Sequence, residues 1–576
     1  MSICKIHPSI IAFFRSSFTQ CSVNLFHSGN NFGKVPIRRG LFQGDSVSPI
    51  HFIIALIPLS CLLNQSNAGY AVSSPLGDET VISHRLYMDD LKLYGSTEAE
   101  LSTLLNITAQ FSSDIHMEFG LNKCGIIHMI EGRRAQCSGI TLPDGSVLPE
   151  VEEGGYRYLG ILETDQILHQ QMKSLTSREY LRRIKLLLKS SLTGKNLITA
   201  INTWAIPVIR YGAGILSWSV AEIRGLDTRT RKLLRMYGTL HNRSDVDRLY
   251  ISRKRGGRGL QRVEDVISRE EAGLVNFFTS TTDPTLTCLF DAMHAEGMLT
   301  GEPAEKEVLK LQHENRLMEK WSNKPVHGRF LQQLEEGGCS LDGTWSWLTQ
   351  QSLPRNTEAV IFAAQDQALP TNWLRAVIER APDSSPLCRI CKTYNESVEH
   401  ILNGCQKLAN SEYKLRHDRV AAAIHWAMCI DCGFDTSSPW YLHYAEKVLE
   451  NANYKILWDF LIQCDRSIEA CKPDLVLVNK HLKEAYIVDV AVPKDRLVSD
   501  READKVQKYQ DLRREIKRIW GLNKVSVIPI VIGALGGVSD KLPDFLDVLT
   551  SRVSVPQLQK SVLFSSTNIL RTVLDM

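Results

Sequence analysis

The chain has 576 residues, 43% of them hydrophobic and 23% charged, an ordinary globular composition that excludes disordered, collagenous and fibrous classes. At roughly 100–200 residues per domain this length predicts three to five domains, so no single core or site is expected to explain it. The net charge of +3 conceals an asymmetry: residues 171–260 hold 19 Lys and Arg against 5 Asp and Glu, a local +14 that leaves about −11 elsewhere. A merely solvated helical face usually mixes its signs, so a field of one sign on that scale points to a polyanion.

In chain order, residues 10–18 predict a helix, 29–44 a turn-rich stretch and 49–63 an apolar helix. The apolar run at 50–63 contains His51 and falls short of the ~20 residues of a membrane helix. The N-terminus shows no cleavable signal with small residues before a cleavage site, so the chain is expected to be soluble, intracellular and without a membrane partner. Strand-like pieces at 85–94 and 156–162 complete a mixed α/β region, 1–165. Residues 166–330 carry 3.6-residue periodicity and read as a basic helical segment, with Trp204 and Trp218 in its core. Pro354 and Pro370 punctuate a helical connector at 331–384. A Pro/Ser break at 381–386 opens a Cys/His module, 385–436. After Pro439 a long helix pattern runs through Cys464. Strands at 474–478, 485–492 and 525–532 then flank a helix at 501–520, an α/β unit within 437–550 that leaves 551–576 as a C-terminal tail.

The chemistry concentrates in three places. The first is Asp89 and Asp90 in YMDD at 87–90, two adjacent carboxylates at a strand-to-strand turn. Hard oxygens in that arrangement suit Mg²⁺, although a pair of aspartates at a turn is by itself more often a solvated β-turn. The context is RGLFQGDSVSP at 39–49, GLNKC at 120–124 and YLGI at 158–161. These four segments, in this order, resemble the reverse transcriptases of non-LTR retrotransposons. The resemblance implies a partial palm in which Asp89 and Asp90 are Mg²⁺ (or Mn²⁺) ligands, Gln43 and Gly44 line template and nucleotide, and Lys123 lies near the nucleotide's phosphates. Two-metal transfer in that family takes a third carboxylate from a strand ahead of the QGD segment. No Asp precedes Asp45 here, so the expectation is an N-terminally truncated polymerase, inactive alone.

The second is Cys388-x2-Cys391-x8-His400-x4-Cys405. Three thiolates and an imidazole are a tetrahedral Zn²⁺ set, closed and therefore structural. The remaining cysteines, out of 14 in all, are too sparse for a disulfide framework. The module resembles the zinc knuckle that follows the polymerase in site-specific non-LTR elements, and Arg416-His417-Asp418 matches a basic-His-Asp motif of the same elements, which implies nucleic-acid contacts by Arg416 and His417.

The third is KPDLVLV at 472–478 followed by YIVDVAV at 486–492. Asp489 among Ile and Val is costly to bury without a metal or a cation. The pair Asp474 and Asp489 resembles the acids of a PD-(D/E)XK restriction-like endonuclease. The usual lysine two residues on is replaced by Ala491. In the resembling family the lysine sits on the next helix beside a tyrosine, which implicates Lys505, Lys508 and Tyr509, with Lys494 as the alternative. Arg253, Lys254, Arg255 and Arg258 in RKRGGRGL fit a basic nucleic-acid loop after the thumb. The resemblance thus implies palm remnant, basic helical thumb, connector, CCHC knuckle and nuclease, acting in the nucleus on element RNA, target duplex DNA and dNTPs. The competing class is a catalytically silent, zinc-containing nucleic-acid-binding protein from a domesticated or decaying element.

Overall fold

The structure is a computed structural model that describes residues 6–19, 21–37, 40–41, 44–74, 77, 79–295, 302–382, 384–436 and 438–576. The chain is mixed α/β and divides into two compact units. One is Met1–Lys173 with Leu274–Pro303, the other Ser174–Gly273 with Ala304–Met576.

In the first unit, residues 29–44 are not simply turns. They supply the second strand of a hairpin, Ser22–His27 paired with Asn30–Pro36. Ser28 and Gly29 both take positive φ, the two-residue turn whose twist matches its strands. Helix α1 (Ser48–Gln65) carries Pro49 in its first turn, where a missing N–H costs nothing. It is longer than the sequence reading allowed, and by length and composition it is apolar enough to cross a membrane. One face of it lies in a core: Leu56, Leu59 and Leu63 pack with Leu104 and Ile107, and with Leu86, Leu91 and Leu93. Those last three belong to the hairpin β1 (His84–Tyr87) and β2 (Asp90–Leu93), and Leu104 to helix α2 (Glu98–Asp114). The hairpin β3 (Tyr156–Tyr158) and β4 (Ile161–Glu163) turns through Leu159 and Gly160, again both at positive φ.

In the second unit a buried guanidinium organises the connector. Arg248 lies against the rings of Trp321, Trp345 and Phe362, at 4.5, 5.4 and 4.4 Å. It donates to Asp366 Oδ1 at 2.8 Å and to the Gly256 carbonyl at 2.8 Å. Asp366 closes helix α3 (Arg355–Gln365). Removing one partner of such a pair leaves a buried charge unmatched, so Asp366→Ala is expected to cost about 3–5 kcal/mol. Replacing both partners with apolar residues is expected to cost less. Urea unfolding of the single and double variants checks both statements.

Helix α4 (Lys414–Asp431) precedes a five-stranded sheet of β5 (Val448–Glu450), β6 (Tyr454–Trp458), β7 (Leu475–Asn479), β8 (Glu484–Ala491) and β9 (Lys524–Val531), in that order. Neighbours are antiparallel except β8 and β9, which are parallel. A parallel pair needs a crossover, here α5 (Val498–Lys508) and α6 (Gln510–Ile519). Successive residues of β8 serve opposite faces: Val488 and Val490 pack toward α4, and Ala485 and Ile487 toward α6.

Three expectations are corrected. Residues after Pro439 form a short turn and then β5 and β6, not a long helix. The Asn451 side chain accepts the N–H groups of Asn453 and Tyr454 and so reverses the chain. The helix at 501–520 is two helices broken at Tyr509, whose fully buried ring enters the core. Residues 551–576 are not a tail, because 555–574 form helix α7 (Val555–Leu574). A capping box at Ser554 and Gln557 starts it, and its side chains complete two cores: Leu558 and Val562 beside α4 and the sheet, Leu563, Ile569 and Leu570 beside the connector.

Asp495, buried after β8, accepts the N–H groups of Leu535 and Gly537 at 3.0 and 2.8 Å. Burial pushes its carboxyl up to about 6 against those hydrogen bonds. The folded value lies above the ordinary ~3.9, so the stability Asp495 contributes is fully present below about pH 4 and is lost as pH rises through about 6. The size is about 3 kcal/mol. Asp495→Asn is expected to flatten this part of the pH profile in unfolding measured between pH 4 and 7.

Candidate functional site

Asp89 and Asp90 stand at the tip of the β1–β2 hairpin, with Tyr87 opposite Asp90 and Met88 at positive φ. Both carboxylates are exposed, and among the described residues no ion pair engages them. The β3–β4 hairpin comes close: Lys92 of β2 pairs with Glu163 at 2.5 Å and lies 5.1 Å from the Tyr158 ring. Burial first, and then acids including Asp90, raise the phenol of Tyr158. Two of the four ordered segments therefore meet. Gly44 is exposed at φ +96, a backbone that favours glycine. Lys123 is exposed at the end of the short turn Leu121–Lys123. Gln43 lies outside the described residues.

Cys388, Cys391, His400 and Cys405 converge, with their ligand atoms within 4.8 Å of one another. The loop that delivers the first two is closed by Cys388 N–H to the Tyr394 carbonyl at 2.8 Å. Burial raises the Cys391 thiol, but the N–H groups of Thr393 and Tyr394 point at its sulfur and bring it down to about 7. The module is anchored from behind. Buried Glu396 grips Arg389 at 2.8 Å and the Asn372 N–H at 2.8 Å. Three sulfurs and one nitrogen at these separations fit Zn²⁺.

In the five-stranded sheet, Asp489 faces the helix side of β8 and is buried. Its Oδ1 accepts the Tyr509 hydroxyl at 2.6 Å, and its Oδ2 is paired with the Lys505 ammonium. Lys508 is 3.9 Å from Asp489 and 2.9 Å from the Tyr509 oxygen. Lys494 turns away and pairs with Glu399 at 3.0 Å. Geometry therefore prefers Lys505, because the break at Tyr509 lets one helix end bring both groups to one carboxylate.

Asp474 precedes β7, and the register that sets Leu475 opposite Val488 carries it toward Asp489. Its Oδ2 takes the Val490 N–H at 2.7 Å and His417 Nε2 at 3.0 Å. Burial would raise this carboxyl, but His417, the Val490 N–H and Lys505 lower it. His417 is itself opposed by burial, yet Asp474 and Asp418 lift it to about 9. It reaches the acid pair from α4, a link that no local pattern announces. Two adjacent carboxylates with oxygen donors fit a hard divalent cation.

Several basic residues expected to bind nucleic acid are internal. Arg253 pairs with Glu358 at 2.8 Å, and buried Arg258 reaches the same carboxylate at 3.4 Å. Buried Arg416 donates to the Leu402 carbonyl at 2.8 Å and the Ser566 hydroxyl at 3.1 Å. These three are corrected to structural roles. Arg255 leans on Asn315 at 2.7 Å, and Lys254 alone of the four loop residues is exposed. Trp204, expected in a core, is 40% exposed beneath Arg183. A further donor group, His425, Cys429 and His443, was missed by the sequence reading, although H-x3-C at helical spacing carries its signal.

Residues 5–162 match the family described as Reverse transcriptase (RNA-dependent DNA polymerase). A retrovirus-related Pol polyprotein from type-1 retrotransposable element R2 of Popillia japonica is 23% identical over 429 residues, 72% of this chain. A second R2 Pol polyprotein from that organism is 24% identical over 417 residues, 69% of this chain. The chain spans 66% of the first relative and 54% of the second. With the ordered YMDD and YLGI hairpins inside the matched region, residues 5–162 carry a reverse transcriptase domain, and over more than two thirds of its length the chain is similar to Pol polyproteins of R2 retrotransposable elements.

Proposed function

We propose that this chain is the part of an R2-type retrotransposon protein that nicks target duplex DNA for target-primed reverse transcription, acting in the nucleus on element RNA and target DNA. The observation that carries the reading is the convergence of Asp474, Asp489, Lys505 and Tyr509 at one end of the neighbouring interior strands β7 and β8, the donor set of a restriction-like endonuclease. A divalent cation held by Asp474 and Asp489 would supply Lewis acidity toward the scissile phosphate. Lys505 neutralises charge that builds on the phosphoryl oxygens. Tyr509 fixes the rotamer of Asp489 by donating to Oδ1. Protonated His417 orients Asp474 from the opposite side. The CCHC module binds Zn²⁺ and holds the neighbouring connector.

The polymerase region has Asp89 and Asp90 for Mg²⁺ but no Asp or Glu ahead of Asp45, and we further propose that these 576 residues alone do not extend a primer. Purified chain incubated with Mg²⁺, supercoiled and linear duplexes bearing candidate target sequences, RNA template and dNTPs is expected to nick DNA and leave the primer unextended. Template-directed extension that is lost on Asp89→Ala would reverse the second statement. Binding without nicking on every target tried would favour the silent nucleic-acid-binding alternative.

A further inference from the structure

His425 and Cys429 lie one turn apart on one face of α4, both fully buried. His443 arrives from the turn Trp440–Leu442 that leads into β5. His425 Nδ1 is 2.7 Å from His443 Nε2 and 3.5 Å from Cys429 Sγ, and all three donor atoms fall within 4.8 Å of one another. Around tetrahedral Zn²⁺, with bonds of ~2.0–2.3 Å, neighbouring N and S donors sit about 3.3–3.7 Å apart. The N–S separation already fits, and a recoil of about half an ångström by His443 would complete the N–N edge.

We propose that His425, Cys429 and His443 form a second Zn²⁺ site, separate from the CCHC module, that staples the 438–447 loop to α4. Two imidazoles and one thiolate are borderline-soft donors, suited to zinc rather than to Mg²⁺ or Ca²⁺. The loop has little else to hold it. Trp440, Tyr441, Leu442 and Tyr444 are exposed, so the segment gains little from apolar burial. Among the described residues its two ends are held by the Trp426 indole N–H to the Ser438 carbonyl and the Trp458 N–H to the Lys447 carbonyl, each at 3.0 Å, which leaves the middle of the loop to His443. A simple His425–His443 hydrogen bond would account for the 2.7 Å contact but gives Cys429 no part. Water or Glu446, three residues beyond His443, takes the fourth position.

Elemental analysis of the full chain, purified without chelator, tests this. Two zinc ions per chain are expected in the native protein, one in His443→Ala and one in Cys391→Ser, with His443→Cys restoring two. Reconstitution of Cys391→Ser with Co²⁺ alone checks the donor set without depending on zinc content. Its thiolate-to-cobalt band should have the intensity of a single thiolate and vanish on further Cys429→Ala. One zinc per native chain, kept by His443→Ala and lost in Cys391→Ser, would overturn the proposal and leave a metal-free histidine pair. One zinc lost in His443→Ala but kept in Cys391→Ser would support it and remove metal from the CCHC module instead.

Discussion

Asp489→Asn is expected to lower Mg²⁺-dependent nicking of duplex DNA by at least about 10²–10³-fold, the size of losing one preorganised electrostatic group from a phosphoryl or acyl transfer site. Asparagine keeps the shape and can still accept the Tyr509 hydroxyl, so DNA affinity should be nearly unchanged, while the Lys505 ammonium left without its buried partner costs some stability. What it removes is the negative charge that pairs with Lys505 and one of two hard oxygen donors. Lys505→Met should reduce nicking as well. Lys494→Met should leave it intact, because Lys494 is engaged by Glu399. Nicking assays alongside filter binding and thermal denaturation separate these effects. Nicking that survives both Asp489→Asn and Asp474→Ala would remove this site from the reaction.

The second large effect is expected at the zinc module. Cys388→Ser should release its metal and open residues 385–420, with a stability loss on the order of 5 kcal/mol. Closed zinc sites contribute folding free energy directly, up to ~10–16 kcal/mol in isolated fingers. Here part of the module is held by other means. Cys388 and Cys405 sit in the same apolar cluster as Val398, Ile401 and Leu402, and Glu396 ties Arg389 to Asn372. Those contacts should let the module loosen without unfolding the five-stranded sheet. Limited proteolysis and hydrogen exchange localise the change, and zinc analysis gives the stoichiometry. Unchanged protection across 385–420 in Cys388→Ser would show that the metal is dispensable to the fold.

Features that depend on neighbours along the chain were legible in the amino acids alone. Tyr87 to Asp90 form a hairpin tip and Leu159-Gly160 a tight turn, because turn preference is local. Cys388 and Cys391 share a loop because two intervening residues suffice to aim two sulfurs together. Asp489, isolated among valines, announced the need for a partner, and the resemblance pointed to Lys505, Lys508 and Tyr509 on the following helix. Other features took shape only in the folded chain. The basic excess of residues 171–260 looked like one surface, yet Arg248, Arg253 and Arg258 are matched by Asp366 and Glu358, about a hundred residues or more away in the chain. No local pattern distinguishes an arginine facing solvent from one facing an acid that arrives from another helix. The same holds for His417, whose protonation is set by Asp474 across the sheet, and for helix α7, whose apolar stripe has meaning only once two cores await it. Local geometry is encoded by neighbours in sequence, whereas burial and charge depend on which distant segments the fold brings into contact.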